Sequence, residues 1–134
     1  MKYFKFIFQL FFIFELNVCL AQNDLPSLKG KNILFVYGGA IHSPKESADL
    51  FVPILKAEGA KVRVFDNFSV YEDEKLMSET DLIIQAFTDF FTPVENRMND
   101  KQFKGLQIAI LKGTGFSGWH GGLGASNKVN QRYQ

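Results

Sequence analysis

From residue 31 onward the apolar residues fall into short continuous runs separated by polar, turn-rich stretches. Residues 32–37 (NILFVY) and 81–86 (DLIIQA) read as fully buried strands, since a strand covered on both faces shows no alternation. Residues 61–65 (KVRVF) alternate and read as a strand between them, and residues 106–111 (LQIAIL) predict a fourth. Helix-start chemistry stands between these runs. Ser43-Pro44-Lys45-Glu46 predicts a capping box with proline at the first helical position and a helix to about Glu58, stopped by Gly59. Its apolar face is Leu50, Phe51, Ile54 and Leu55, and Pro53 predicts a kink or split. Residues 71–79 read as a short polar helix or turn. Thr92-Pro93-Val94-Glu95 repeats the helix-start pattern, giving a helix to about Phe103 with Gly105 as its stop. Strands alternating with helices predict an α/β fold: a parallel sheet with helices on both faces.

The densest glycine stretch follows the last run. Residues 113–122 (GTGFSGWHGG) hold five glycines in ten positions, which disfavours a helix or strand interior and predicts a tight turn facing a ligand. In an open α/β sheet, ligands bind outside the C-terminal strand ends. Those ends lead into residues 38–42, 87–91 and 113–120, which brings both histidines, His42 and His120, to one rim.

The N-terminus changes what counts as the domain. Lys2 and Lys5, the apolar core of residues 6–14 (FIFQLFFIF), and Cys19-Leu20-Ala21 ahead of Gln22 have the layout of a secretory signal peptide. Residues 1–21 are therefore expected to be a signal, 22–30 a polar lead-in, and 31–134 the domain. An uncleaved signal anchor is the rival reading and the only expected membrane contact. Loss of Lys2, Lys5 and Glu15 takes fifteen basic and fourteen acidic residues to thirteen of each. A neutral chain without a polybasic run argues against nucleic acid as a partner. The single cysteine, Cys19, leaves with the signal, so the mature chain has no disulfide and no thiol nucleophile. This pattern fits an exported, periplasmic or secreted protein.

The candidate chemistry is sparse. Gly113, Gly115 and Gly118 spell GxGxxG, but no acidic residue stands in the chain after Asp100 to hold a ribose, so the dinucleotide reading is weak. Residues 118–122 (GWHGG) have the outline of a nucleophile elbow with His120 at its centre in place of Ser or Cys. His120 suits general acid/base work or ligand binding; the alternative is that it only hydrogen-bonds the turn. His42 is the second catalytic candidate, or an exposed loop residue. Two histidines without a local third ligand predict no metal site; Asp89 is the one nearby residue that could add a ligand. Gly38, Gly39, Thr88, Asp89, Gly113, Trp119, Gly121 and Gly122 are the candidate substrate-binding residues. Trp119 and Phe116 are read either as a platform for a sugar ring or as core. Phe87, Phe90 and Phe91 either line a pocket or cover the sheet end. The amides of Gly121 and Gly122 could hold an anion at the start of a following helix. No cofactor is indicated.

At these residues the chain resembles the trehalose-utilisation (ThuA-like) domain family, a branch of the class I glutamine amidotransferase-like fold. The resemblance covers residues 31–134. It rests on residues 33–39 (ILFVYGG) followed by His42, on the strand at 81–84, on residues 92–95, and above all on residues 112–122 (KGTGFSGWHGG). It implies a flavodoxin-like sheet, with His120 standing where the amidotransferases carry a nucleophilic cysteine, hence no glutaminase activity. It also implies action in the uptake and breakdown of trehalose and related disaccharides or keto-sugars, with a small carbohydrate as partner. A non-catalytic sugar-binding or interaction domain, and a non-functional fragment, are the alternatives. Two departures from the family matter. No acidic residue follows the WHGG motif, where Leu123-Gly124-Ala125-Ser126 stand, and the family domain is longer than this stretch. An incomplete sheet is therefore expected, with an uncovered edge that favours self-association.

Overall fold

The computed structural model describes residues 26–89 and 91–124, apart from the side chain of His120. In chain order the elements are β1 (Asn32–Gly39), α1 (Pro44–Ala57), β2 (Lys61–Phe65), a 3-10 turn (Phe68–Glu72), α2 (Glu74–Ser78), β3 (Leu82–Thr88), a second 3-10 turn (Val94–Asn96), α3 (Asp100–Leu111), β4 (Gly115–Gly118) and a final 3-10 turn (His120–Gly122). The four strands form one parallel sheet in the order β2-β1-β3-β4. This is the parallel α/β sheet expected from the alternation of strands and helices, in the flavodoxin-like arrangement that the family resemblance implied. The proposed signal segment, residues 1–21, lies outside the described residues. Among those described, no helix is long and apolar enough to cross a membrane.

Two apolar clusters cover the two faces of the sheet. Leu34, Val36, Ile83 and Phe87 point to the face covered by Phe68, Tyr71, Met77, Phe103 and Leu106. Ile33, Phe35, Ile84 and Ala86 point to the face covered by Ala48 and Val52 of α1. The two faces alternate along β1 and β3 as the pleat requires. Burial on both explains the unbroken apolar runs.

Several expectations need correction. Residues 106–111 are not a strand; they are the last half of α3. Asn99 and Gln102 form a reciprocal capping box, so the helix starts there and runs through Gly105. Only Phe103, Leu106 and Ala109, spaced three apart, are buried, while Ile108, Ile110 and Leu111 are exposed. A short apolar run fits either element, and here the cap and the helical spacing decide. The sequence 92–95 starts only the short 3-10 turn.

At α1 the helix begins and ends as expected, but Ser43 makes no side-chain cap and sits in the left-handed region. The helix runs unbroken past Pro53. Its stop is a Schellman motif: Gly59 N–H donates to Lys56 O at 3.0 Å and Ala60 N–H to Leu55 O at 3.1 Å. Its buried residues are Ala48 and Val52, whereas Leu50, Phe51 and Ile54 of the expected apolar face are exposed. The segment 71–79 is not polar filler, because Tyr71, Leu76 and Met77 are core residues. Finally, the glycine-rich stretch does contain a strand. Residues 115–118 form the edge strand β4, where the missing side chains permit close approach to β3.

Candidate functional site

The order in which strands are added reverses at β1: β2 lies on one side of it and β3 on the other. The loops leaving the C-terminal ends of β1 and β3 therefore diverge, and a crevice opens between them, the usual ligand position in this architecture. His42 follows β1, Thr88 ends β3 and Asp89 follows it, and residues 119–122 follow β4, so all lie at one rim of the parallel sheet. Gly113 does not. It precedes β4, and its neighbour Thr114 donates from its hydroxyl to Thr80 O at 3.1 Å, at the opposite end of the sheet. Because Gly115 and Gly118 are in β4, the GxGxxG spacing makes no strand-to-helix phosphate loop.

Buried polar groups fix the glycine loop to β3. Gln85 is fully buried in the middle of β3. Its Nε2 donates to Gly122 O at 2.6 Å, and its Oε1 accepts from the Tyr71 hydroxyl at 2.8 Å. Tyr71 is itself 1 % exposed, so the relay runs from the core beneath α3 to the backbone of the loop. Glycine is required for this contact. A Cβ on Gly121 would overlap the Thr88 hydroxyl, and one on Gly122 would overlap Gln85 O. A Cβ on Gly118 would come to 2.5 Å from the same carbonyl. Around His120, β4 ends at Gly118 and the 3-10 turn begins at His120. Any helix carrying the amides of Gly121 and Gly122 onward would lie outside the described residues.

Backbone strain gathers at the same rim. His42 (φ 69°), Ser43 (φ 46°) and Phe91 (φ 62°) are non-glycine residues in left-handed conformations, all in the loops after β1 and β3. Each such residue costs of order 1 kcal/mol and is held only by its surroundings. Thr88 and Asp89 are buried. The Asp89 carbonyl accepts from Thr92 N–H at 3.0 Å, and the Thr92 hydroxyl donates to Thr88 O at 3.1 Å, closing the turn.

The aromatic residues separate. Trp119 packs on Phe51 of α1 (centroids 5.0 Å apart) and on Phe35 (6.2 Å), and remains 38 % exposed. Phe116 packs on the cluster of the other sheet face, so the two make no joint platform. Phe87 stacks on Phe68 at 4.0 Å, Phe91 is 78 % exposed, and Phe90 lies outside the described residues. Among the described residues no three His, Cys, Asp or Glu side chains come together as a metal site.

Beside the rim, on the α3 side, lies a cleft of about 600 Å³. Gly39 and Ala40 lie at its base, between Asp66, Asn67 and Ser69 from the turn after β2 and Glu95, Asn96 and Arg97 from the turn after β3. Of the expected binding residues only Gly39 lines it. Sequence reasoning missed these polar groups and Gln85. A glutamine inside an otherwise apolar strand was the available signal for Gln85, and polar residues directly after a strand's C-terminal end were the signal for Asp66 and Asn67.

A flavodoxin-like sheet carrying a docked WHGG turn at its C-terminal rim agrees with the comparison by sequence. The family model for trehalose utilisation, ThuA, matches residues 32–134. The chain belongs to the ThuA family. No curated protein and no solved structure matches it. Membership places this ThuA domain in carbohydrate utilisation.

Proposed function

We propose that this ThuA domain binds a disaccharide or keto-sugar at the C-terminal rim of its sheet and processes it, with His120 as the polar group at the ligand. The observation that carries the reading is the Gln85 anchor. It holds a side-chain-free backbone against β3 immediately after His120. A ligand can thus approach the glycine backbone closely, while an imidazole, whose ordinary pKa lies near neutrality, can donate or accept a proton. Neither Ser nor Cys stands at the centre of the turn, so a covalent acyl route is not part of the proposal. His42, on the strained loop after β1, is the assisting group. Export through residues 1–21 belongs to the same proposal, and the N-terminal mass of protein recovered from the periplasm or medium tests it.

A non-catalytic sugar-binding module is the second reading. It is favoured by the absence of an acidic residue after the WHGG motif and by the burial of Asp89. Calorimetric titration of the chain and of its His120→Ala variant with trehalose and with a 3-keto-disaccharide separates the two. Turnover by the parent, lost in the variant while binding survives, identifies an enzyme. Saturable binding without turnover identifies a module. A folded protein that binds neither sugar refutes both.

A further inference from the structure

The cleft beside the rim carries charged groups that the glycine loop does not use. β2 and β3 flank β1, so the turns after them form opposite walls over Gly39 and Ala40. On the β3 side, Arg97 Nε donates to Thr92 O at 2.9 Å. Thr92 is buried and bonded to the end of β3, which fixes the guanidinium on that wall. Its remaining N–H groups have no protein partner among the described residues. On the β2 side, Asp66 Oδ1 accepts from Asn67 Nδ2 at 2.9 Å, and Oδ2 takes no bond among the described residues. No ion pair joins Arg97 to Asp66 among the described residues, so the two face one cleft without meeting.

We infer that this cleft is the specificity pocket of the proposed sugar site, with Arg97 and Asp66 selecting an unphosphorylated polyhydroxy ligand. The inference rests on the reading of the rim as a sugar site. A hydroxyl both donates and accepts, so a polyol can bond to the guanidinium on one wall and to the carboxylate on the other. Asn67, Ser69 and Asn96 add neutral donors and acceptors around it. A phosphate ester would gain Arg97 but would confront Asp66 and Glu95, two carboxylates against one guanidinium. A cationic ligand would have to displace or avoid Arg97.

The test is calorimetric titration of the full chain with trehalose and with trehalose 6-phosphate, in the parent and in the Arg97→Ala, Asp66→Ala and Asp66→Asn variants. Asp66 is exposed and bonds only to its neighbour among the described residues, so its variants keep the fold; circular dichroism verifies this for all three. Trehalose is expected to bind at least about tenfold more tightly than its phosphate. Arg97→Ala and Asp66→Ala should each weaken trehalose binding about tenfold, the scale of one hydrogen bond to a charged group. Asp66→Asn should narrow the gap between the two sugars. Equal or tighter binding of the phosphate overturns the inference. Unchanged trehalose affinity in both alanine variants, with binding still weakened by Gly121→Ala, also overturns it while leaving the rim reading intact. No binding of either sugar to folded parent protein defeats the rim reading and the inference together.

Discussion

Replacing Gln85 by leucine tests whether a buried hydrogen-bond relay holds the glycine loop. The side chain is fully buried and bonds to the Tyr71 hydroxyl at 2.8 Å and to Gly122 O at 2.6 Å. Leucine fills similar volume but removes both. Each partner then loses a bond inside the protein, at a cost of about 1–3 kcal/mol per group before relaxation. The combined effect should be about 2–4 kcal/mol, a large share of the roughly 5–15 kcal/mol that stabilises a domain. The two partners respond differently. Tyr71 sits in the core, whereas Gly122 belongs to a three-residue turn that can lift away from β3. Trp119, the only tryptophan, lies three residues before Gly122 and packs on Phe51 and Phe35, so its fluorescence reports loop docking. In urea titrations of Gln85→Leu, Trp119 emission should shift at lower denaturant than the far-ultraviolet dichroism. Adding Tyr71→Phe should recover about 1 kcal/mol, because the hydroxyl that lost its acceptor is removed. A Gln85→Leu protein with unchanged midpoints by both probes would refute the relay.

Three further predictions concern two glycines and one carboxylate. Alanine is normally favoured over glycine by about 1 kcal/mol inside a helix, yet Gly105→Ala should destabilise α3, since the new Cβ would overlap the Tyr71 carbonyl. Gly113→Ala meets no neighbour within 4 Å but must adopt φ 102°, so its cost should be about 1–2 kcal/mol of backbone strain with Trp119 emission unaltered; thermal melts that rank the two variants as stabilising would contradict both arguments. At the opposite end of the sheet, the Asn32 N–H at 2.8 Å, and then Lys31 Nζ at 3.1 Å, hold the Asp81 carboxyl below the usual aspartate range. Folding thus favours the carboxylate: its contribution is full above the ordinary value of about 4 and is lost as pH falls through the lowered one. Asp81→Asn should lower the urea midpoint at pH 7 and flatten its decline toward pH 3; parallel profiles for parent and variant would show that the contact carries no pH dependence.

The chain's own pattern was enough to determine the fold class. Buried runs at residues 32–37 and 81–86, the alternating strand between them and the stop at Gly59 are local consequences of burial and backbone chemistry. So was the rim, since parallel strands with helical connections send every C-terminal loop to one side. The WHGG turn, with its glycines, was legible for the same reason: few local structures tolerate that composition. The identity of residues 106–111 was not. An apolar run of that length suits a strand or a helix, and the choice fell to the Asn99–Gln102 cap and to Tyr71, whose carbonyl leaves room only for glycine at 105. Only the tertiary structure made Gln85 an anchor rather than an anomaly, because Tyr71 and Gly122 lie fourteen residues before it and thirty-seven after it. The cleft likewise exists only once β1 separates the turns that carry Asp66 and Arg97. Local preference writes the elements; groups distant in sequence meet only where packing brings them, and the proposed site is made of such meetings.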